Sequence, residues 1–110
     1  MASIAKTLRL TKEGVRHVLQ LISHSTFTVT YDLDGKVQGH SVYANIGGGY
    51  ELNFRVILEH VEARCISHLD DIYIKKDGTR AEIPTEYRSK VRQSILNRIV
   101  VNPQHTKLWR

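Results

Sequence analysis

The chain has little that would cross-link it or anchor it. Cys65 is the one cysteine among its 110 residues, so no internal disulfide bond can form, and a reducing, cytoplasmic setting is expected. The first residues lack an apolar run long enough for a signal peptide, and no stretch approaches the roughly 18 apolar residues that a membrane helix needs. We therefore expect a small single domain over residues 1–110, with no membrane partner.

Recognisable motifs for a metal, a cofactor or catalysis are also missing. No pair of histidines or cysteines has a ligand spacing such as His-Glu-x-x-His or Cys-x-x-Cys. The glycines at 47–49 could expose amides to a phosphate, but they lack the Lys-Ser/Thr of a P-loop, so a flexible connector is the simpler interpretation. Two alternatives stay open: a metal bound by His60, Cys65 and His68, and a nuclease site at the carboxylates of 70–71. We predict no catalytic residue, no metal and no cofactor.

Positive charge is present in excess only in the last quarter of the chain. The formal net charge is +5, and residues 1–84 carry ten cations and ten acids, whereas residues 85–110 carry six cations and one acid. Such a segment favours polyanions, because its binding releases their condensed counterions. A solvated basic helix with a tail would have the same composition.

Two segments have the periodicity and end signals of helices. Residues 12–23 follow Thr11, a good N-cap, and place apolar residues on one face at Val15, Val18, Leu19 and Ile22. The second helix is predicted to begin at Pro84-Thr85 and to end at Asn102-Pro103. Its buried row would contain Tyr87, Val91, Ile95 and Ile99.

Residues 50–69 are ambiguous. Apolar residues alternate from Tyr50 to Leu58, as in a strand, but this parity fails at Glu59-His60. A helix is preferred, because twenty residues without turn chemistry are too long for an ordinary strand. A long bulged strand is the alternative.

Strands are predicted at 6–10, 27–33 and 37–46, and a hairpin at 72–83 turns at Asp77-Gly78. At the turn of 34–35 we prefer the three-residue loop that places Tyr31 opposite Val37 over the two-residue loop that places it opposite Gln38. The tripeptide Ile-Ser-His, at 22–24 and 66–68, precedes each Asp-Gly pair and suggests a duplicated helix–hairpin unit. The predicted fold is α+β with two layers: an antiparallel sheet of four to five strands with helices on one face.

The leading functional hypothesis is a non-enzymatic module that contacts DNA or RNA through the basic C-terminal helix and tail, 85–110. Cations would contact phosphates and Trp109 would stack on a base, unless it folds back onto the domain. The predicted contact residues are Arg88, Lys90, Arg92, Arg98, Lys107, Trp109 and Arg110. The alternative is a protein-interaction domain, such as an adaptor, an inhibitor of another protein or a homodimer, which docks through its tail or a sheet edge.

Overall fold

Two helices and seven strands make up the described part of the chain, residues 7–32, 37–61 and 64–104 of this computed structural model. In chain order they are β1 Leu8–Arg9, α1 Lys12–Ser23, β2 Phe27–Asp32, β3 Val37–Gly47, β4 Tyr50–Val61, β5 Arg64–Lys76, β6 Thr79–Glu82, α2 Thr85–Leu96 and β7 Ile99–Gln104. Five strands form one mostly antiparallel sheet in the order β1-β6-β5-β4-β3, and β2 pairs with β7 in a second, two-stranded sheet. The predicted α+β class and strand number are confirmed.

Alternation along β4 determines which side of the large sheet is buried. Its even-numbered residues are almost inaccessible to solvent at Tyr50, Leu52, Phe54, Val56 and Leu58. Glu51 and Arg55, at odd positions, are exposed. Successive side chains of a strand point to opposite faces, so one face of the sheet meets the core and the other meets water.

Both helices and the small sheet cover the buried face. The buried residues of α1 and α2, together with those of β2, belong to one core cluster with the even positions of β4. Phe27 of β2 contacts Phe54 of β4 edge to face, with ring centroids 5.2 Å apart. The predicted arrangement with helices on one face is therefore confirmed, and the odd-numbered face of β4 is left exposed.

Local sequence signals predicted two elements correctly. Helix α1 has the predicted bounds, and the Thr11 hydroxyl accepts a hydrogen bond of 3.0 Å from the Gly14 amide, which satisfies one free donor of the first turn. The β5–β6 hairpin turns at Asp77 and Gly78, whose φ angles of 49° and 83° are those of a type I′ turn. The glycines at 47–49 also have positive φ and connect β3 to β4, so they lead into a strand instead of a helix.

The helix predicted over residues 50–69 is wrong. The segment contains β4 and the first part of β5, which pair antiparallel with Val61 opposite Arg64. Burial of alternate apolar residues on one side of β4 stabilises a strand here, even though the segment contains no glycine, proline or aspartate to mark a turn. The alternative of a single long strand is also incorrect, because β4 ends at Val61 and β5, which begins at Arg64, runs antiparallel to it.

The pairing predicted for the strand at 27–33 is wrong as well. β2 pairs in parallel with β7, which places Val29 opposite Val101 and Tyr31 opposite Pro103, and β3 pairs with β4. The expected Asp-Gly turn at 34–35 lies outside the described residues. Sequence separation explains the error, since a partner 72 residues away leaves no local signal in either strand.

The final helix is shorter than predicted, because α2 ends at Leu96 and not at Asn102-Pro103. Residues 99–101 are β-branched, which favours extended backbone, and they form β7. Pro103 is tolerated there because β7 pairs with β2 alone within the described part of the chain, as an edge strand does.

The two Ile-Ser-His tripeptides lie in different structures. The first closes α1, with His24 as its C-cap, whereas the second lies inside β5. The suggested duplication of a helix–hairpin unit is therefore wrong. Within the described ranges, no helix has the length and apolar character required to span a membrane.

Two glycine-to-alanine changes should have opposite effects on stability. Gly78→Ala should lower the free energy of unfolding by about 1 kcal/mol, because alanine resists positive φ. Nothing lies within 4 Å of the added methyl group, so strain of the backbone is the cause. Gly14→Ala, in the first turn of α1, should raise that free energy by up to about 1 kcal/mol. Urea titration of both variants measures the two free energies of unfolding. A loss of stability in Gly14→Ala would contradict the expectation.

Candidate nucleic-acid interface

An arginine-lined cleft lies where β5, β6 and the first turns of α2 meet. Its volume is about 500 Å³, and it is lined by Arg80 from β6 and by Arg88 and Arg92 from α2. Asp71 and Glu82 are the acids in the same lining. All five side chains belong to exposed residues, so the cleft is open to a charged ligand from solution.

The side of α2 that is buried determines where two of these arginines lie. Val91 and Ile95 are buried against the sheet, which leaves Arg88 and Arg92, one turn apart, on the flank of the helix beside β5. The Arg92 guanidinium donates a hydrogen bond of 2.7 Å from Nη1 to the Leu69 carbonyl. This bond fixes Arg92 against the sheet, whereas no hydrogen bond within the described residues holds Arg88.

Arg80 is a residue of the cleft that the sequence prediction missed. Its guanidinium carbon lies 4.6 Å from the centroid of the Tyr73 ring, which holds the planar cation against the exposed face of the sheet. Residues 1–84 are neutral in sum, so their composition gave no signal. The predicted Asp77-Gly78 hairpin pairs Arg80 with Lys75 on one face, but it gives no sign that α2 lies beside Arg80.

Asp71 marks an irregularity in β5 beside the cleft. Its φ is 50°, and the register of β4 and β5 shifts between Asn53 and Arg55, which indicates a bulge. The Asp70 side chain accepts a hydrogen bond of 3.0 Å from the Asp71 amide. Among the described residues, no group of three or more His, Cys, Asp or Glu side chains could hold a metal ion.

A second, shallower concavity adjoins the cleft on the exposed face of the sheet. Its volume is about 310 Å³, and its lining includes Tyr43 of β3 and Asn53 and Arg55 of β4. Asp71 and Tyr73 line both concavities, so the two are adjacent.

The remaining predicted contact residues do not join this cleft. Lys90 is exposed and lies about 160° around α2 from Arg92, at 100° per residue. Arg98 is half-buried: its Nε donates to the Ser25 carbonyl and its Nη2 donates to the Thr26 hydroxyl at 3.2 Å. Lys107, Trp109 and Arg110 lie outside the described residues.

The possible metal ligands His60, Cys65 and His68 lie in β4 and β5, not on one helix, and their side chains are not among those described.

Comparison with known proteins identifies no relative. No protein-family model, no curated protein and no solved structure matches this chain.

Arg98 is expected to stabilise the fold, in contrast to Arg88. Arg98→Ala should lower the free energy of unfolding by about 2 kcal/mol, because it removes two charge-assisted hydrogen bonds that join the start of β7 to the segment after α1. Arg88→Ala removes an exposed side chain and should change it by less than about 0.5 kcal/mol. Denaturant unfolding of both variants is the measurement, and equal losses would contradict this assignment.

Proposed function

We propose that this protein is a non-enzymatic module that binds nucleic acid, with Arg80, Arg88 and Arg92 contacting phosphates in the cleft. The observation that carries the proposal is that cations from two separate elements, β6 and α2, converge on one open cleft. A guanidinium presents several donors in a plane that matches two phosphate oxygens, so arginine suits this contact better than lysine does.

The shape of the cleft supports a polymer more than a small anion. It is open to solvent and shares Asp71 and Tyr73 with the adjacent concavity on the sheet face, so a bound chain of phosphates can extend from one concavity to the other. Lys107, Trp109 and Arg110 remain part of the proposal as contacts made by the tail. Lys90 and Arg98 are left out, because one faces away from the cleft and the other is hydrogen-bonded within the fold.

The acids in the cleft limit its affinity. Asp71 and Glu82 oppose phosphate binding there, so we expect binding to be moderate and to weaken steeply with salt. A cytoplasmic setting belongs to the same proposal and rests on the single cysteine of the chain.

A protein-interaction role is a second candidate, supported by the edge strand β3. Its residues Val37–Gly47 form the last strand of the five-stranded sheet and pair with β4 alone within the described residues. A long edge of this kind can accept a strand from a second chain. Light scattering distinguishes the two roles: a dimer whose mass is unchanged by an oligonucleotide favours β3, and a monomer that gains one oligonucleotide favours the cleft.

Arg88→Ala should weaken nucleic-acid binding, while Lys90→Ala should not. Both remove one exposed cation from α2, so the net charge of the two variants is equal, but only Arg88 lines the cleft. Anisotropy of a labelled oligonucleotide of about 12 nucleotides, measured from about 50 mM salt upward, gives the affinity and its salt slope. Arg88→Ala should reduce that slope by about 1. Equal effects of the two variants, or no binding by the unmodified protein, would overturn the proposal.

Asp71→Asn should strengthen binding. Asparagine accepts the positive φ of position 71 at least as well as aspartate, and the change removes a negative charge from the junction of the two concavities. We expect a gain of about threefold at low salt, from removal of one repulsive charge near a phosphate. Asp70→Asn is the control, since Asp70 lines neither concavity; an equal gain there would mean that only the total charge matters.

A further inference from the structure

We infer that the exposed face of the five-stranded sheet is a surface on which bases stack, and that the protein therefore prefers single-stranded to duplex nucleic acid. This inference rests on the proposed function, because it assigns the bases of the same ligand whose phosphates occupy the arginine cleft. Single-stranded binding sites commonly combine aromatic rings under the bases with cations along the backbone.

A row of side chains across three strands provides the aromatic rings. Tyr43 of β3 lies opposite Asn53 of β4, which lies opposite Tyr73 of β5, so all three share the exposed face. Tyr43 is 78% exposed, so its ring is accessible to a ligand. Strands lie about 4.8 Å apart, so the backbones of the two tyrosines are about 10 Å apart. Asn53 lies between the rings, where its amide can donate to a base edge or accept from one.

Arg80 extends this row toward the phosphate site. Its guanidinium stacks on Tyr73, and a guanidinium plane can itself stack on a base. Because Tyr73 and Asp71 line both concavities, the two are adjacent, and one ligand is able to reach from the arginine cleft onto the sheet.

The charge of this surface complements a polyanion. Among the side chains that the structure describes, cations outnumber acids on the exposed sheet face and in the adjoining cleft. The exposed cations are Arg9, Arg55, Lys75, Arg80, Arg88 and Arg92, and the exposed acids are Glu51, Asp70, Asp71 and Glu82.

The width of the sheet argues against a duplex. Five strands span four spacings, about 19 Å, whereas the major groove of B-DNA is about 12 Å wide and admits a two-stranded ribbon. The sheet face can therefore contact only the outside of a duplex, where the faces of the bases are covered by their neighbours. A single strand presents those faces to Tyr43 and to the Arg80 guanidinium that is stacked on Tyr73.

The test compares Tyr43→Ala with Tyr43→Phe, which keeps the ring. Anisotropy is measured with a single-stranded oligonucleotide of about 12 nucleotides, as DNA and as RNA, and with the DNA duplex that contains it. The unmodified protein should bind at least one of the single strands about tenfold more tightly than the duplex. Tyr43→Ala should weaken single-strand binding about fivefold or more, through the loss of one stacking contact, and should leave the salt slope and duplex binding unchanged. Tyr43→Phe should bind as the unmodified protein does.

The outcomes separate this inference from the proposed function. Equal or tighter binding of the duplex, or equal affinities of Tyr43→Ala and the unmodified protein, would overturn the stacking surface. If Arg88→Ala still weakened binding in that case, phosphate binding in the cleft would stand alone. If no oligonucleotide bound and a dimer formed instead, both would fail, and β3 would be the interacting edge. Urea titration of Tyr43→Ala checks that the variant is folded. We expect it to be, because the Tyr43 side chain is exposed.

Discussion

One-sided burial of alternate residues along β4 is the constraint on which the rest of the structure depends. Five side chains from Tyr50 to Leu58 lie on one face and are at most 5% exposed. A shift of one residue in the pairing of β4 would expose all of them, so burial fixes the register with β3 and β5. The same face receives α1, α2 and the β2–β7 pair, and the polar residues between the buried ones are left on an open face beside the arginine cleft.

Elements with local signals could be predicted from the sequence, and those defined by distant partners could not. Helix α1 has its own cap and periodicity, and the β5–β6 hairpin has an Asp-Gly turn. The reversal between Val61 and Arg64 has no glycine, proline, asparagine or aspartate, so alternation there competed with a plausible helical pattern. The parallel pairing of β2 with β7 depends on packing against β4, through contacts such as that of Phe27 with Phe54.

The candidate site was also predictable only where its residues depend on local sequence signals. Arg88 and Arg92 follow from helical spacing, because residues four apart share a flank of α2. Arg98 was assigned to the same helix, but the chain has already left α2 at that point, and its guanidinium joins two loops instead. Arg80 requires the tertiary structure, since only the folding of β6 beside α2 brings it to the cleft.

Three departures from local preference lie on the exposed face. Asp71 adopts positive φ within a strand, Lys75 lies directly opposite Arg80, and Tyr43 is extensively exposed. Each is unfavourable for an isolated fold: the first strains the backbone, the second opposes like charges, and the third leaves apolar surface in water. Asp77 also has positive φ, but its type I′ turn requires it. The other three lie on the face for which we propose nucleic-acid binding, and departures from local preference that stability does not favour are expected at a functional surface.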